Sequence, residues 1–263
     1  MAHKSDERRH VLSLSGGKDS AALAVYLHDK IPNLEYVFMD TGYELPETYE
    51  FLKRMRAILG IQIKVLKPSR DFKTWLELKG GYLPSPFKRW CTDVLKITPY
   101  EKYIGNDKIY SYIGIRADED REGYLSSKDN IIPKYPFIED GLVYADIENL
   151  LEKSGLGFPQ YYRWRSRSGC YFCFFQQKIE WINLYKEHPE LFYEAMKFEK
   201  VGKDEKRFTW CERESLSELL ERMEEVTLEN SDKTPSKSKD QSGNKLIDIF
   251  ASQGPRACIV CDL

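Results

Sequence analysis

Strand-like and helix-like spacings of apolar residues alternate along the first half of the chain. Residues 10–14 (HVLSL) read as a buried strand, and 21–27 take up helical spacing. The apolar run at 35–39 (EYVFM) fits a second strand. Residues 46–59 predict a helix with Phe51, Leu52, Met55, Ile58 and Leu59 on its inner face. Pro46 suits the first helical position, Glu47 the first turn and Gly60 the stop. Residues 61–66 (IQIKVL) predict a third strand, 71–79 a short helix stopped by Gly80 and Gly81, and 108–115 (KIYSYIGI) a fourth strand. The stretch 131–138 (IIPKYPFI), interrupted by two prolines, suits an edge strand or an extended linker. Strand, helix, strand, helix, strand predicts an α/β fold with a parallel, doubly wound sheet and right-handed crossovers.

The second half reads differently. Residues 145–153 are helical by pattern and end at Gly155. Residues 176–200 predict two amphipathic helices joined near His188 and Pro189, with Trp181, Leu184 and Tyr185 on one face and Leu191, Phe192, Ala195, Met196 and Phe198 on the next. Ser215 and Glu218 make a capping box that opens a last helix to about Val226. Residues 229–245, rich in Ser, Lys, Asp and Thr without apolar spacing, read as a disordered linker, followed by a short element at 246–250. The expected organisation is an α/β core at 1–145, a helical cysteine-containing region at 146–228 and a flexible tail at 229–263.

The candidate chemistry starts where the first strand meets the first helix, at SGGKDS (15–20). Gly16 and Gly17 allow a tight turn and close approach of backbone to ligand. The first helical turn offers unpaired N–H groups and the positive end of the helix dipole to phosphate. Lys18 adds a mobile charge, Asp19 could hold hydrated magnesium, and Ser15 and Ser20 can donate to oxygens. Asp40, Thr41 and Gly42 end the second strand, where ligands bind in parallel sheets. Lys88, Arg89 and Lys96 surround Cys91 with positive charge that can neutralise phosphate or favour a thiolate. Arg116, and Arg121 after it, offer planar forks for phosphate oxygens. In QYYRWRSRSGCYFCFF (160–175), Arg163, Arg165 and Arg167 alternate with aromatic and small residues, a pattern suited to a nucleic-acid backbone or to a basic rim over the cysteine pair. Cys170 and Cys173 have the spacing of a shared metal or a reversible disulfide. A second such pair, Cys258 and Cys261, closes the chain.

Bulk properties narrow the classes. A net charge of −2 excludes a molecule that wraps nucleic acid by overall charge, so any such contact needs a local patch. The 17 tyrosines suit pockets and interfaces. No apolar run long enough to span a membrane occurs and the charged start lacks an apolar signal region, so a cytoplasmic location without membrane contact is expected. Six cysteines in such a setting point to metal or redox chemistry before structural disulfides.

SGGKDS resembles the PP-loop of the N-type ATP pyrophosphatases. DTGYELPETYEFL (40–52), KRWCTDVLKITP (88–99) and GIRADEDREG (114–123) resemble segments of the phosphoadenosine phosphosulfate (PAPS) reductase family. The paired cysteines and following helices are similar to the helical part of PAPS reductase-like proteins, including the ATP pyrophosphatases of DNA phosphorothioation. The resemblance implies an adenine nucleotide α-hydrolase-like fold. It implies ATP and Mg2+ as ligands and cleavage of ATP to AMP and pyrophosphate, which adenylylates an acceptor for sulfur transfer. It implies Lys18, Asp19 and Ser20 as catalytic residues, and a nucleotide site of Ser13, Ser15, Gly16, Gly17, Lys18, Ser20, Asp40, Thr41, Gly42, Lys96 and Arg116. An iron–sulfur cluster of the 4Fe–4S type would use Cys91, Cys170 and Cys173, with Cys211 as the fourth candidate. Expected partners are a cysteine desulfurase and a nucleic-acid acceptor, with a homodimer left open. The chain departs from sulfonucleotide reductases in keeping the loop lysine, in ending CIVCDL and in having Trp90 rather than cysteine before Cys91. Those departures favour ATP cleavage in DNA phosphorothioate modification. An APS or PAPS reductase, a tRNA-thiolating enzyme and a nucleotide-binding regulator without turnover are the alternatives.

Overall fold

The computed structural model describes residues 8–120, 128–200 and 207–231. The α/β layer begins with β1 (Arg9–Leu14), α1 (Lys18–Leu27), β2 (Leu34–Met39), α2 (Pro46–Leu59) and β3 (Ile63–Leu66). The chain then passes through α3 (Phe72–Leu78), α4 (Trp90–Thr92), a π-helical turn at Asp93–Ile97 and α5 (Thr98–Ile104) before β4 (Ile109–Tyr112) and β5 (Ile131–Lys134). After α6 (Pro136–Glu139) and α7 (Tyr144–Lys153) come α8 (Lys178–Glu187), α9 (Pro189–Met196), α10 (Leu216–Glu221) and α11 (Met223–Ser231).

The five strands form one parallel sheet in the order β3-β2-β1-β4-β5. Alternation along the strands sends side chains to opposite faces. Leu12, Leu14, Tyr36 and Phe38 pack with α1, α2 and α7. Val11, Val37, Met39, Ile109 and Ile113 pack with Tyr100 and Ile104 of α5 on the other face. The sheet is therefore covered on both sides, as its nearly unbroken apolar strands require. The order reverses between β1 and β4, and that switch point opens a crevice at the carboxyl ends of the strands.

Most predicted elements are present, and the differences have physical reasons. The third strand starts at Ile63 rather than at 61. β5 is an edge strand, but Pro136 starts a helix instead of prolonging the extended stretch, because proline suits a first helical turn. The last helix breaks at Arg222, and α11 runs beyond the expected linker start at 229 to Ser231. The run from Trp90 to Ile104 is helical throughout, although its short apolar spacing did not predict it. The boundary expected at 145 does not separate two cores. Ile147 and Leu151 of α7 are fully buried beside α1, whereas Phe72, Leu76, Leu83, Trp90 and Leu95 pack with the second-half residues Tyr161, Trp181, Phe192 and Trp210. Among the described residues no helix is long and apolar enough to cross a membrane. The expected linker beyond residue 231, the short element at 246–250, Arg121, Cys258 and Cys261 lie outside the described residues.

Candidate functional site

The loop between β1 and α1 is held by its own serines. The Gly17 N–H donates to Ser15 Oγ (3.1 Å), the Ser15 N–H donates to Ser20 Oγ (3.2 Å), and Ser20 Oγ–H donates to Gly17 O (3.2 Å). Gly16 has φ +76°, and a Cβ there would stand 2.5 Å from the Thr48 methyl, so backbone and packing both demand glycine. Ser13 is fully buried within β1 and lies inside the strand rather than in the cradle. The other loop residues, Ser15, Gly16, Gly17, Lys18, Asp19 and Ser20, lie together at the turn from β1 into α1.

Lys18 and Arg116 meet across the switch point. Asp19 lies between them, with Oδ2 2.8 Å from Lys18 Nζ and Oδ1 3.1 Å from Arg116 Nη1. Arg116 also pairs with Asp118 (2.9 Å) and Glu119 (2.7 Å). Burial works against the Arg116 charge, but Asp19, Glu119 and Asp118 outweigh it and hold the guanidinium above its ordinary pKa. Both Asp19 oxygens thus already face cations. This arrangement makes Asp19 an anchor for Lys18 and Arg116, and it does not fit a magnesium ion on Asp19 unless those cations move. Gly114 brings β4 close to α1, since a Cβ there would lie 3.0 Å from Asp19 O.

Four residues of this site were not singled out from sequence. Lys18 Nζ lies 5.5 Å from the Tyr144 ring centroid and 5.6 Å from that of Tyr162, within cation–π range. The Lys18 N–H donates to the Tyr162 hydroxyl (3.3 Å), and the Tyr161 hydroxyl donates to Gly16 O (2.9 Å). Ser168 Oγ–H donates to Ser15 Oγ (3.4 Å). Burial, and then the charge of Asp19, pushes the Tyr162 phenol up to about 12, so its proton is retained. The signal for Tyr161, Tyr162 and Ser168 was the segment 160–168, but its alternating arginines drew the reading toward a polyanion instead, and nothing near Tyr144 singled it out. Arg165 is only 2% exposed and donates to Gly169 O (3.1 Å) and Cys170 O (2.9 Å), so it supports the cysteine turn from inside.

The end of β2 supplies the other wall. Asp40 Oδ1 accepts from the Gly42 N–H (2.9 Å) and the Tyr49 hydroxyl (2.7 Å). Thr41 Oγ1–H donates to Glu44 Oε1 (2.9 Å) and lies 3.2 Å from Cys170 Sγ. Backbone pairing of Glu44 with Cys170, and of Tyr171 N–H with Tyr43 O (2.9 Å), docks the cysteine turn onto this loop. Burial, then the Glu44 carboxylate, pushes the Cys170 thiol well up, and the nearby Lys96 charge opposes that rise. Lys96 therefore stands at the cysteine end of the crevice.

Comparison with known proteins finds similarity over the first half of the chain. Residues 9–128 match the family described as the phosphoadenosine phosphosulfate reductase domain. Over that stretch, just under half of its length, the chain is similar to a PAPS reductase domain. It is 28% identical over 192 residues to an uncharacterized protein of Methanocaldococcus jannaschii, covering 68% of this chain and 45% of that protein. It is 38% identical over 72 residues to a phosphoadenosine 5'-phosphosulfate reductase of Xylella fastidiosa, covering 27% of this chain and 30% of that protein. The chain thus spans less than half the length of either relative. The solved PAPS reductase from Candida auris, in a phosphate complex, superposes with a TM-score of 0.52 at 12% identity, covering 65% of this chain and 84% of that one. That likeness shows a shared fold.

The matched stretch, residues 9–128, holds the loop, Asp40, Thr41, Gly42, Cys91, Lys96 and Arg116. Tyr144, Tyr161, Tyr162, Ser168, Cys170, Cys173 and Cys211 follow it in sequence and close over it. The cysteines do not assemble as a four-thiolate set. Cys170 and Cys173 share one turn, with the Cys173 N–H donating to Cys170 O (3.0 Å). Cys91 is half-buried against the same aromatic core. Cys211 is buried among Glu199, Lys178 and Glu214; burial, and then Glu199, push its thiol up to about 12. Among the described residues no group of three or more His, Cys, Asp or Glu is placed to hold a metal ion. As arranged, these side chains do not fit a four-iron cluster, and no step below passes through one.

Proposed function

We propose that this chain is an ATP pyrophosphatase of the adenine nucleotide α-hydrolase type, and that it adenylylates an acceptor oxygen for sulfur transfer. An acceptor oxygen attacks the α-phosphorus of ATP, the bond to the β-phosphate breaks, and pyrophosphate leaves. A sulfur nucleophile then displaces AMP from the acceptor. The observation that carries this reading is the intact Ser15–Ser20 loop with Lys18 held at its mouth between Tyr144 and Tyr162, beside Arg116. Backbone N–H groups at the start of α1 receive the leaving phosphates, and Lys18 follows the charge that develops on them. Two cations here face three carboxylates, Asp19, Asp118 and Glu119. Polyphosphate therefore brings its own magnesium, whose role is to screen that charge.

The acceptor in this reading is a nucleic acid, with DNA phosphorothioate modification the preferred setting and tRNA thiolation the alternative. A cysteine desulfurase is the proposed sulfur donor. As the described cysteines are not placed to hold an iron–sulfur cluster, none is included in this reading; iron and sulfide analysis of anaerobically prepared protein tests that exclusion. The second reading, a sulfonucleotide reductase, draws support from the family match over residues 9–128. Incubation with ATP and magnesium separates the two. AMP and pyrophosphate in equal amounts support the first reading, and their absence with sulfite released from PAPS or APS supports the second. Lys18→Met is expected to abolish pyrophosphate release with the fold retained; normal turnover in that variant removes the assignment.

A further inference from the structure

We propose that Cys170 and Cys173 form a dithiol–disulfide exchange site, with Glu44 as the base that takes the Cys170 proton. The substrate class is a disulfide, which the pair reduces as it closes its own. As arranged, the described cysteines do not fit a four-iron cluster, whereas two of them share a single turn. The Cys173 N–H donates to Cys170 O (3.0 Å) and closes that turn. Such a turn keeps its end Cα atoms within about 7 Å, and a disulfide spans roughly 4.4–6.8 Å between Cα atoms. The pair therefore reaches a sulfur–sulfur bond with little movement of the backbone. The entry to the turn is fixed in advance. Gly169 has φ +136°, a value that side-chain-bearing residues rarely adopt. Arg165 holds the Gly169 and Cys170 carbonyls from inside.

The two sulfurs have different roles because their neighbours differ. Cys170 Sγ is turned inward, 3.2 Å from Thr41 Oγ1 and 3.7 Å from Glu44 Oε1, to which it donates. Glu44 is only 6% exposed. Its Oε1 also accepts from Thr41, and its buried Oε2 has no hydrogen-bond partner. A carboxylate oxygen left unsatisfied in such a place costs free energy, and a proton taken from Cys170 relieves that cost. Cys173 is half-buried and lies against Gly169, its Sγ 3.8 Å from where a Cβ there would be. Cys173 is therefore the attacking sulfur. Its proton passes to water, its thiolate bonds to one sulfur of the substrate, and the substrate's other sulfur leaves as a thiolate that water protonates. Glu44 then takes the Cys170 proton, and the Cys170 sulfur attacks the Cys173 sulfur. The bond from Cys173 to the substrate breaks, and the second substrate thiolate leaves with the proton held on Glu44. In sum the dithiol gives up two electrons and two protons, and the substrate disulfide becomes two thiols.

The test mixes the reduced full chain, prepared without oxygen, with glutathione disulfide, quenches with acid and alkylates the remaining thiols. Mass spectrometry then reads the tryptic peptide 168–178, which contains Cys170, Cys173 and no other cysteine. In the wild type that peptide is expected to lose two hydrogens and to resist alkylation. Cys170→Ser is expected to accumulate a glutathione adduct on Cys173, and Cys173→Ser to stay reduced. Glu44→Gln is expected to form the adduct at the wild-type rate but to close roughly 100-fold more slowly, the scale of a positioned base. A carboxylate that only held the turn together would change both steps or neither. If Glu44→Gln fails to fold, Glu44→Asp decides: slower closure with unchanged adduct formation supports the role, and unchanged closure overturns it. A peptide that stays reduced in the wild type overturns the proposal, as does an adduct formed on Cys170 as fast as on Cys173. Iron and sulfide bound to the anaerobic protein, and lost in Cys170→Ser or Cys173→Ser, overturn it too. The mixture holds no ATP, so failure of this exchange leaves the proposed ATP cleavage standing, and failure of that cleavage leaves this result standing.

Discussion

In the proposed reaction Lys18 acts among three neighbours, Asp19, Tyr144 and Tyr162. Its Nζ is tied to Asp19 and framed by Tyr144 and Tyr162, so in that reaction its removal would take charge from the leaving phosphates without emptying a core. Lys18→Met is expected to lower the rate of pyrophosphate release by at least about 100-fold, the scale of one lost preorganised donor. Circular dichroism should stay unchanged. Tyr162 acts in the other direction. Its hydroxyl accepts the Lys18 N–H, one of the donors that a phosphate needs at the start of α1. Tyr162→Phe keeps the ring and frees that donor, so KM for ATP should fall about 2–10-fold, the worth of one net hydrogen bond, with kcat little changed. A rise in KM would mean that the hydroxyl contacts the nucleotide itself. Gly16 shows what the turn costs: Gly16→Ala combines a left-handed φ with a clash on Thr48, and about 2–4 kcal/mol of stability should be lost. Thr48→Ser on that background removes the methyl and should return only the part due to the clash, which denaturant midpoints of the single and double variants can resolve.

At the level of elements, the loop is only as steady as the two helices that flank it. α1 carries Lys18, and α7 carries Tyr144 at its first residue. Ile147 and Leu151 of α7 have no exposure and pack beside Ala21, Leu23 and Ala24 of α1. Leu151→Ala is expected to cost about 2–5 kcal/mol and to raise KM for ATP, because the cavity loosens the helix that places Tyr144. An unchanged urea midpoint would show that α7 does not brace α1. Strong period and punctuation made β1, β2, α2 and β4 legible: apolar runs bounded by Gly16, Asp40, Pro46 and Gly60 leave little choice. The run from Trp90 to Ile104 was not legible, because its apolar residues pack into two different cores and so show no single face. That the Ser15–Ser20 loop and Arg116 lie close together was readable because both stand at strand ends of one parallel sheet. Tyr144, Tyr161 and Tyr162 were not, since a tyrosine shows its role only when tertiary contacts place its ring or hydroxyl.

The whole molecule is built from cores that interleave along the chain. Phe72, Leu76, Leu83, Trp90 and Leu95 belong by sequence to the first half but are buried with Trp181, Phe192, Trp210 and Leu216 of the second. Phe72 stacks on Trp90 at 5.3 Å and meets Phe172 at 4.3 Å, so one aromatic group ties both halves. Conversely, Ile147, Leu151 and Leu156 complete the layer over α1. Truncation after residue 145 therefore strips cover from both sides, although the chain before it contains the whole sheet. Each large apolar side chain left in water forfeits about 1.5–3 kcal/mol, and several such losses exceed the 5–15 kcal/mol by which a typical domain is stable. Fragment 1–145 is expected to bind hydrophobic dye, to melt without a cooperative transition and to lack nucleotide binding. Fragment 1–231 should melt as one unit, because every described element of both cores is retained. A cooperative melt of the shorter fragment, with nucleotide still bound, would mean that the loop works without its tyrosine cover. The second half would then serve only the cysteines.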